Sequence, residues 1–299
     1  MSGKIFDIVS PSYTGLGLEV LRTAPLIRAA LRTGQRPRLW TFHPGAFDGR
    51  QYDVVPLQQG WEPLLPISEK HSCSNGVVWL PHTHRRGPYV CKRSLAEALA
   101  CGWKGLDDKT MPIEPGAYPT FVREIAEQMF GDDGAPGMDI DPLYPADVGV
   151  EATSIVLNLV GAHGKEKGLT DASAVCAVVN RLADVFLLHS CLVLLHARVC
   201  AGQRAVLSGR NIRALIHLDS DALVARCIGR NTKVITVEGG LAHFAIHRGI
   251  SPVVVGLPSW LNKTSYLYPA EQKFTRCTVD SLDVNALVGA IENQLQKWF

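Results

Sequence analysis

The 299-residue chain is long enough for two domains of ordinary size, each able to bury a core without disulfide or metal support. Hydrophobic residues make up 46% and charged residues 19%, with 27 Gly and 18 Pro spread along the chain, which excludes a disordered, collagen-like or coiled-coil protein. The net charge of +2 gives no support to general nucleic-acid binding, yet it hides an asymmetry: residues 107–151 hold eleven acidic and two basic side chains, leaving a basic remainder. A basic body suits an anionic ligand, and the acidic stretch reads first as a solvated linker and second as a face for a cationic acceptor.

In chain order, Lys4–Ser10, Arg38–His43, Tyr52–Leu57 and Val77–His82 read as strands. Gly17–Thr33 reads as a helix with Leu18, Leu21, Leu26, Ala29 and Ala30 on its buried side, while Arg28, Arg32, Arg36 and Arg38 read as an exposed helix face and its following turn. Strand, helix, strand implies a βαβ unit and a parallel sheet. Ser94–Gly102 and Pro119–Gly131 read as further helices, and the Gly-, Pro- and Asp-rich Gly131–Gly149 places a domain boundary near 150. Ser154–Gly161 restarts the pattern as a buried strand, and a helix follows from about Asp171. Residues 185–201 fit a buried helix or a strand plus helix. Ala205–Ser208, Ala214–Leu218, Lys233–Val237 and, last, Pro252–Gly256 read as strands; Asp221–Ile228, Leu241–Arg248 and Leu282–Trp298 read as helices. The last of these carries Leu287, Ile291, Leu295 and Trp298 on one face, with a cap expected at Asp280 or Ser281.

Met1–Ser10 has no secretory pattern, Val185–Cys200 is too short and too polar to span a bilayer, and the eight cysteines form no C-x-x-C pair. The expectation is a cytoplasmic protein with reduced thiols and no transmembrane segment. His189, Cys191, His196 and Cys200 could be drawn as a metal set, but their apolar run favours core residues.

Two turns carry the chemistry. The first, Ser10-Pro-Ser-Tyr-Thr-Gly-Leu-Gly-Leu-Glu, has Gly15 and Gly17 but Val20 where a dinucleotide fingerprint has its third glycine. No acidic residue closes the next strand, which argues against a dehydrogenase. A glycine turn aimed at a ligand crevice remains, with Glu19 either functional there or an acidic residue on the helix dipole. In the second, Lys233-Val-Ile-Thr-Val-Glu-Gly-Gly-Leu-Ala-His, a strand ends at Glu238 and a helix begins, so Gly239, Gly240 and Leu241 offer amides to a diphosphate and Glu238 reaches sugar hydroxyls. The blander alternative is a tight turn with His243 as a satisfied helix histidine. His82 and His84, at the end of a strand, are acceptor-side candidates or part of a solvated loop.

Glu238-Gly-Gly-Leu-Ala-His, with Ala245, Gly249, Pro252-Val-Val and Pro258 beyond it, resembles the Asp-x-Gly-x-x-His-x-Ala-x-x-x-Gly-x-Pro-x-Val signature of the lipopolysaccharide heptosyltransferases, glycosyltransferase family 9. Gly17-Leu-Glu-Val-Leu-Arg-Thr-Ala-Pro resembles the family's N-terminal stretch, with Glu19 at the catalytic-base position. Val156-Leu-Asn-Leu-Val-Gly-Ala-His-Gly-Lys-Glu-Lys is similar to its strand-then-lysine segment, which implies a donor-diphosphate grip by Lys167, with Lys165 as alternate. Both acidic positions are Glu where the family has Asp.

The resemblance implies a GT-B fold, two Rossmann-like α/β domains facing each other across a cleft. An acceptor-binding domain (1–150) would supply Glu19 as base, and a donor-binding domain (151–299) would supply Lys167, Lys165, Glu238, Gly239, Gly240, Leu241 and His243. The implied reaction is inverting transfer of a sugar, heptose leading, from a nucleotide diphosphate, ADP-linked by the same resemblance, to a small-molecule, glycan or protein acceptor without a metal. A nucleotide-sugar epimerase or hydrolase and a non-catalytic nucleotide-sugar binder stand as alternatives.

Overall fold

A computed structural model describes residues 5–10, 16–57, 76–79, 99–100, 102–107, 114–137, 139–145, 155–161, 167–183, 191–196, 212–218, 221–270 and 274–298. The chain forms two units, Met1–Tyr144 and Pro145–Phe299.

The first unit holds β1 (Ile5–Val9), α1 (Leu16–Arg32), β2 (Arg36–Thr41), β3 (Asp53–Pro56), β4 (Gly76–Trp79), β5 (Lys104–Leu106) and α2 (Ala117–Phe130). All strand pairs are parallel, in the order β3-β2-β1-β4-β5. Parallel strands covered on both faces are apolar throughout, and β1 breaks that rule once, at Asp7. Its partner across the ladder is Arg38, whose Nε and Nη2 donate to the carboxylate at 2.6 and 2.9 Å, joined by Trp40 Nε1 at 2.8 Å. The pairing also fixes the register, so β2 starts at Arg36, two residues before the predicted strand.

Arg36 is exposed as expected and Arg32 and Arg38 are partly covered, but at Arg28 the helix α1 overturns the expected exposed face. It is buried nearly all round, Arg22 and Arg28 included, because α2 packs beside it and the chain after α2 returns across it. Arg28 donates to the carbonyls of Gly134 (2.7 Å) and Ile140 (3.2 Å), and burial lowers its pKa to about 10. Arg32 pairs with Asp132 and Asp139. Gly134 sits at φ 63° with the space of a β-carbon already taken by the Pro25 carbonyl oxygen, 2.0 Å away, so the close return of the chain demands glycine. The described residues 131–137 and 139–144 are therefore packed structure rather than a solvated linker; Asp133 is likewise paired, with Arg123.

The second unit holds β6 (Ile155–Asn158), α3 (Ala172–Arg181), β7 (Cys191–His196), β8 (Ile212–Leu218), α4 (Asp221–Arg226), β9 (Lys233–Val237), α5 (Gly240–His247), β10 (Val253–Gly256), α6 (Pro258–Lys263), β11 (Thr275–Thr278) and α7 (Val284–Trp298). Its sheet is again parallel, in the order β11-β10-β9-β6-β7-β8, with α3 and α7 packed on a core of Ile155, Leu157, Val193, Ile235 and Val255. Asp171 caps α3 by accepting from Ala174 N at 2.8 Å. The cap of α7 is Asp283, which accepts from Ala286 N at 3.0 Å, and not Asp280 or Ser281; Ser281 instead donates to Asp283.

The ambiguous run 185–201 contains a strand, β7, and Cys191 in it is a buried core thiol, while His189 and Cys200 lie outside the described residues. Among the described residues no group of side chains could hold a metal, and no helix is long and apolar enough to cross a membrane. Pro252–Gly256 is not the last strand, because β11 follows it. Both strands absent from the sequence reading, β5 and β11, are sheet edges. An edge strand is half solvated and lacks the continuous apolar run of an inner one. The expected Ala205–Ser208 strand and most of the Ser94–Gly102 helix lie outside the described residues.

Candidate functional site

In open parallel sheets, ligands bind beyond the carboxyl ends of the strands where the strand order reverses. The first unit reverses between β1 and β4, the second between β6 and β9.

At the first reversal β1 runs into Ser10, and Glu19 lies in the first turn of α1. Both are fully buried, and Ser10 Oγ donates to Glu19 Oε2 at 2.5 Å. Burial raises the Glu19 pKa; the Ser10 and Thr41 hydroxyls and the charges of His43 and Arg22 oppose that rise. Among the described residues nothing donates to Glu19 Oε1. The result is a buried carboxyl group held through one oxygen by Ser10, with the other oxygen open among the described residues. The helix turn beneath it is braced by Arg22, whose Nε donates to Tyr118 Oη at 2.7 Å and whose guanidinium lies 5.3 Å from the centre of the Trp79 ring.

At the second reversal the strand ends are pinned by Asn158 Nδ2 donating to Thr236 Oγ1 at 3.1 Å. Beyond β6 the chain leaves and returns beside itself. Leu169 N bonds Leu159 O at 2.8 Å, and Gly161 N bonds Leu169 O at 2.9 Å. Gly168 lies in this neck, where an added β-carbon would come within 2.6 Å of Gly161 N and 2.7 Å of Leu159 O. The neck thus fixes the position of Lys167. Beyond β9, Glu238 and Gly239 lead into α5, whose first-turn N–H groups have no partner within the helix.

Trp260 joins the two strand ends. Its Nε1 donates to Glu238 Oε2 at 3.0 Å, and Lys167 Nζ lies 4.3 Å from its ring centre. Below them His243 is buried against Tyr268, with ring centres 4.9 Å apart, and its Nε2 lies 4.0 Å from Glu238 Oε1. Burial lowers the His243 pKa to about 4 against the opposing pull of Glu238, so its imidazole is neutral at physiological pH.

Lys167, Glu238 and His243 are therefore brought together, with Gly239 and Gly240 between them in sequence. Leu241 is buried and can offer only its amide. Lys165, His82 and His84 lie outside the described residues. Trp260 falls just beyond Pro258, the last residue of the quoted signature; the available signal is Pro258 itself, which suits the first turn of a helix and so extends the turn into an ordered element.

No family model matches the sequence, and no curated protein sequence matches it. Solved structures do. A glycosyl transferase family 9 protein from Veillonella parvula superposes with a TM-score of 0.61 at 12% identity, covering 99% of each chain. The E. coli ADP-heptose lps heptosyltransferase II gives 0.58 at 13% identity, again covering 99% of both. The E. coli heptosyltransferase WaaC with ADP gives 0.56 at 12%, over 97% of this chain and 99% of that one. The fold is GT-B. At such identity the likeness is one of architecture: two Rossmann-like α/β domains in the same chain order.

Proposed function

We propose that the protein is an inverting glycosyltransferase that moves a sugar, heptose leading, from a nucleotide-diphosphate donor, ADP leading, to an acceptor hydroxyl. The observation that carries this reading is the meeting of Lys167 and Glu238 at Trp260, from strands that are neighbours only because the sheet reverses between them. Lys167 and the amides opening α5 would take the diphosphate, and Glu238 the donor sugar hydroxyls. In the first unit, the acceptor side, Glu19 would take the acceptor proton as that oxygen attacks the anomeric carbon; the bond from that carbon to the diphosphate breaks, and nucleoside diphosphate leaves. One displacement inverts the centre. Among the described residues Cys191 and Cys277 are thiols outside any disulfide, which suits a reducing compartment, so the cytoplasm is the proposed location.

The WaaC structure with ADP and the ADP-heptose enzyme among the structural neighbours support ADP as the first nucleotide to try. The complete burial of Glu19 favours a second reading, a nucleotide-sugar binder without turnover. Thermal shift with ADP-heptose, ADP-glucose, UDP-glucose and GDP-mannose tests donor binding, since a ligand of the folded state raises the apparent melting temperature. No shift with any of the four would refute the donor reading. Release of ADP from ADP-heptose on adding a candidate acceptor, with product of inverted configuration, distinguishes transferase from binder.

A further inference from the structure

Trp260 carries more than its bond to Glu238. The Nζ of Lys263, an exposed residue at the end of α6, lies 5.1 Å from the same ring centre that Lys167 approaches at 4.3 Å. Among the described residues neither lysine has a carboxylate partner. An indole face attracts a cation, but two ammonium groups on one indole repel each other. They lie no further apart than those two distances together. Two such cations on a shared apolar rest, next to the opening turn of α5, match a ligand carrying two adjacent negative groups.

We propose that Lys263 is a second diphosphate-binding cation, and that Trp260 is the positioning residue that holds Lys167, Lys263 and the Glu238 carboxylate in one array. This rests on the donor-site reading above. The indole divides the work. Its π-system serves the two ammonium groups and hence the phosphates, while its N–H serves Glu238 and hence the sugar. Entry of a diphosphate relieves the repulsion between the lysines, because each exchanges the weak pull of the ring for a full anionic oxygen. The lysines start close to their bound positions, so less side-chain freedom is lost on binding.

The two functions of the ring separate by substitution. Trp260→Phe keeps an aromatic face and removes the N–H; it should weaken ADP-heptose about tenfold while leaving ADP within about twofold, the scale of one lost bond to a charged group. Trp260→Ala should weaken both ligands about tenfold or more, and Lys263→Ala, at an exposed site where folding is not at risk, should weaken ADP about tenfold with an unchanged melting temperature. Titration calorimetry of ADP and ADP-heptose against wild type and the three variants gives the answer. Equal effects of Trp260→Phe on the two ligands, or a lowered melting temperature with both affinities intact, would overturn the positioning role. Wild-type ADP affinity in Lys263→Ala would overturn the second cation. A wild-type protein that binds neither ADP nor ADP-heptose would instead overturn the donor-site reading, and this inference with it.

Discussion

His243 offers a stability measurement whose size follows from its surroundings. Its side chain is sealed against Tyr268, and burial drives the imidazole pKa from 6.5 down to about 4 although the Glu238 carboxylate 4.0 Å away pulls it up. Between those two values the unfolded chain binds a proton that the folded chain refuses. The stability is therefore complete above the unfolded value and falls as the pH drops below it. Lowering the pH from about 7.5 to about 5 should cost about 2 kcal/mol through this group alone, by the linkage between proton binding and folding. His243→Gln removes the titration and keeps a side chain of similar size. Urea unfolding at both pH values should show the wild type losing about 2 kcal/mol more than the variant across that interval. Equal losses in the two proteins would refute the reasoning. A direct titration of the native imidazole by NMR checks it independently of any variant, and a midpoint near the unperturbed value of about 6.5 would be fatal to it.

Glu19→Gln should lower turnover by a factor of about 10² or more with donor affinity nearly intact; unchanged turnover would return Glu19 to a structural role. Because burial raises the Glu19 pKa, the folded chain holds a proton that the unfolded chain releases, so wild-type stability falls as pH rises from the ordinary carboxyl range through the raised value, and the Gln variant should lack that fall. Lys167→Ala should weaken ADP binding by about 1–3 kcal/mol, whereas Glu238→Ala should weaken nucleotide sugar and spare ADP; calorimetry with both ligands checks the pair, and parallel losses in Glu238→Ala would contradict its contact with the sugar. Gly168→Ala forces a β-carbon against the backbone of the neck, so melting temperature and ADP affinity should fall together, and a variant unchanged in both would show that the neck does not place Lys167.

The alternation of buried strands and helices was legible in the sequence because inner parallel strands such as β6, β9 and β10 are uninterrupted apolar runs. The edges β5 and β11 were not, since Lys104-Gly-Leu and Thr275-Arg-Cys-Thr carry no such run. Glu19 and Glu238 stand out by lying at strand-to-helix turns. What no local pattern could reveal was their company: Ser10, nine residues before Glu19, and Trp260, twenty-two after Glu238, are set by how the chain crosses over. Arg28 misled for a related reason. A basic residue on a helix is read as solvated, and only the return of residues 131–144 makes its face an interior one.

That return has a bearing on the order in which the molecule can be made. The residues of α1 leave the ribosome early, yet the carbonyls that satisfy Arg28 belong to Gly134 and Ile140, 106 and 112 positions later. Until they are synthesised the guanidinium must stay in water, since burying it unpartnered costs far more than the helix gains by packing. The first half therefore cannot lock residue by residue as it emerges; it waits for its own last segment. A nascent chain stalled before residue 131 should leave α1 open to protease, and one released beyond Tyr144 should protect it.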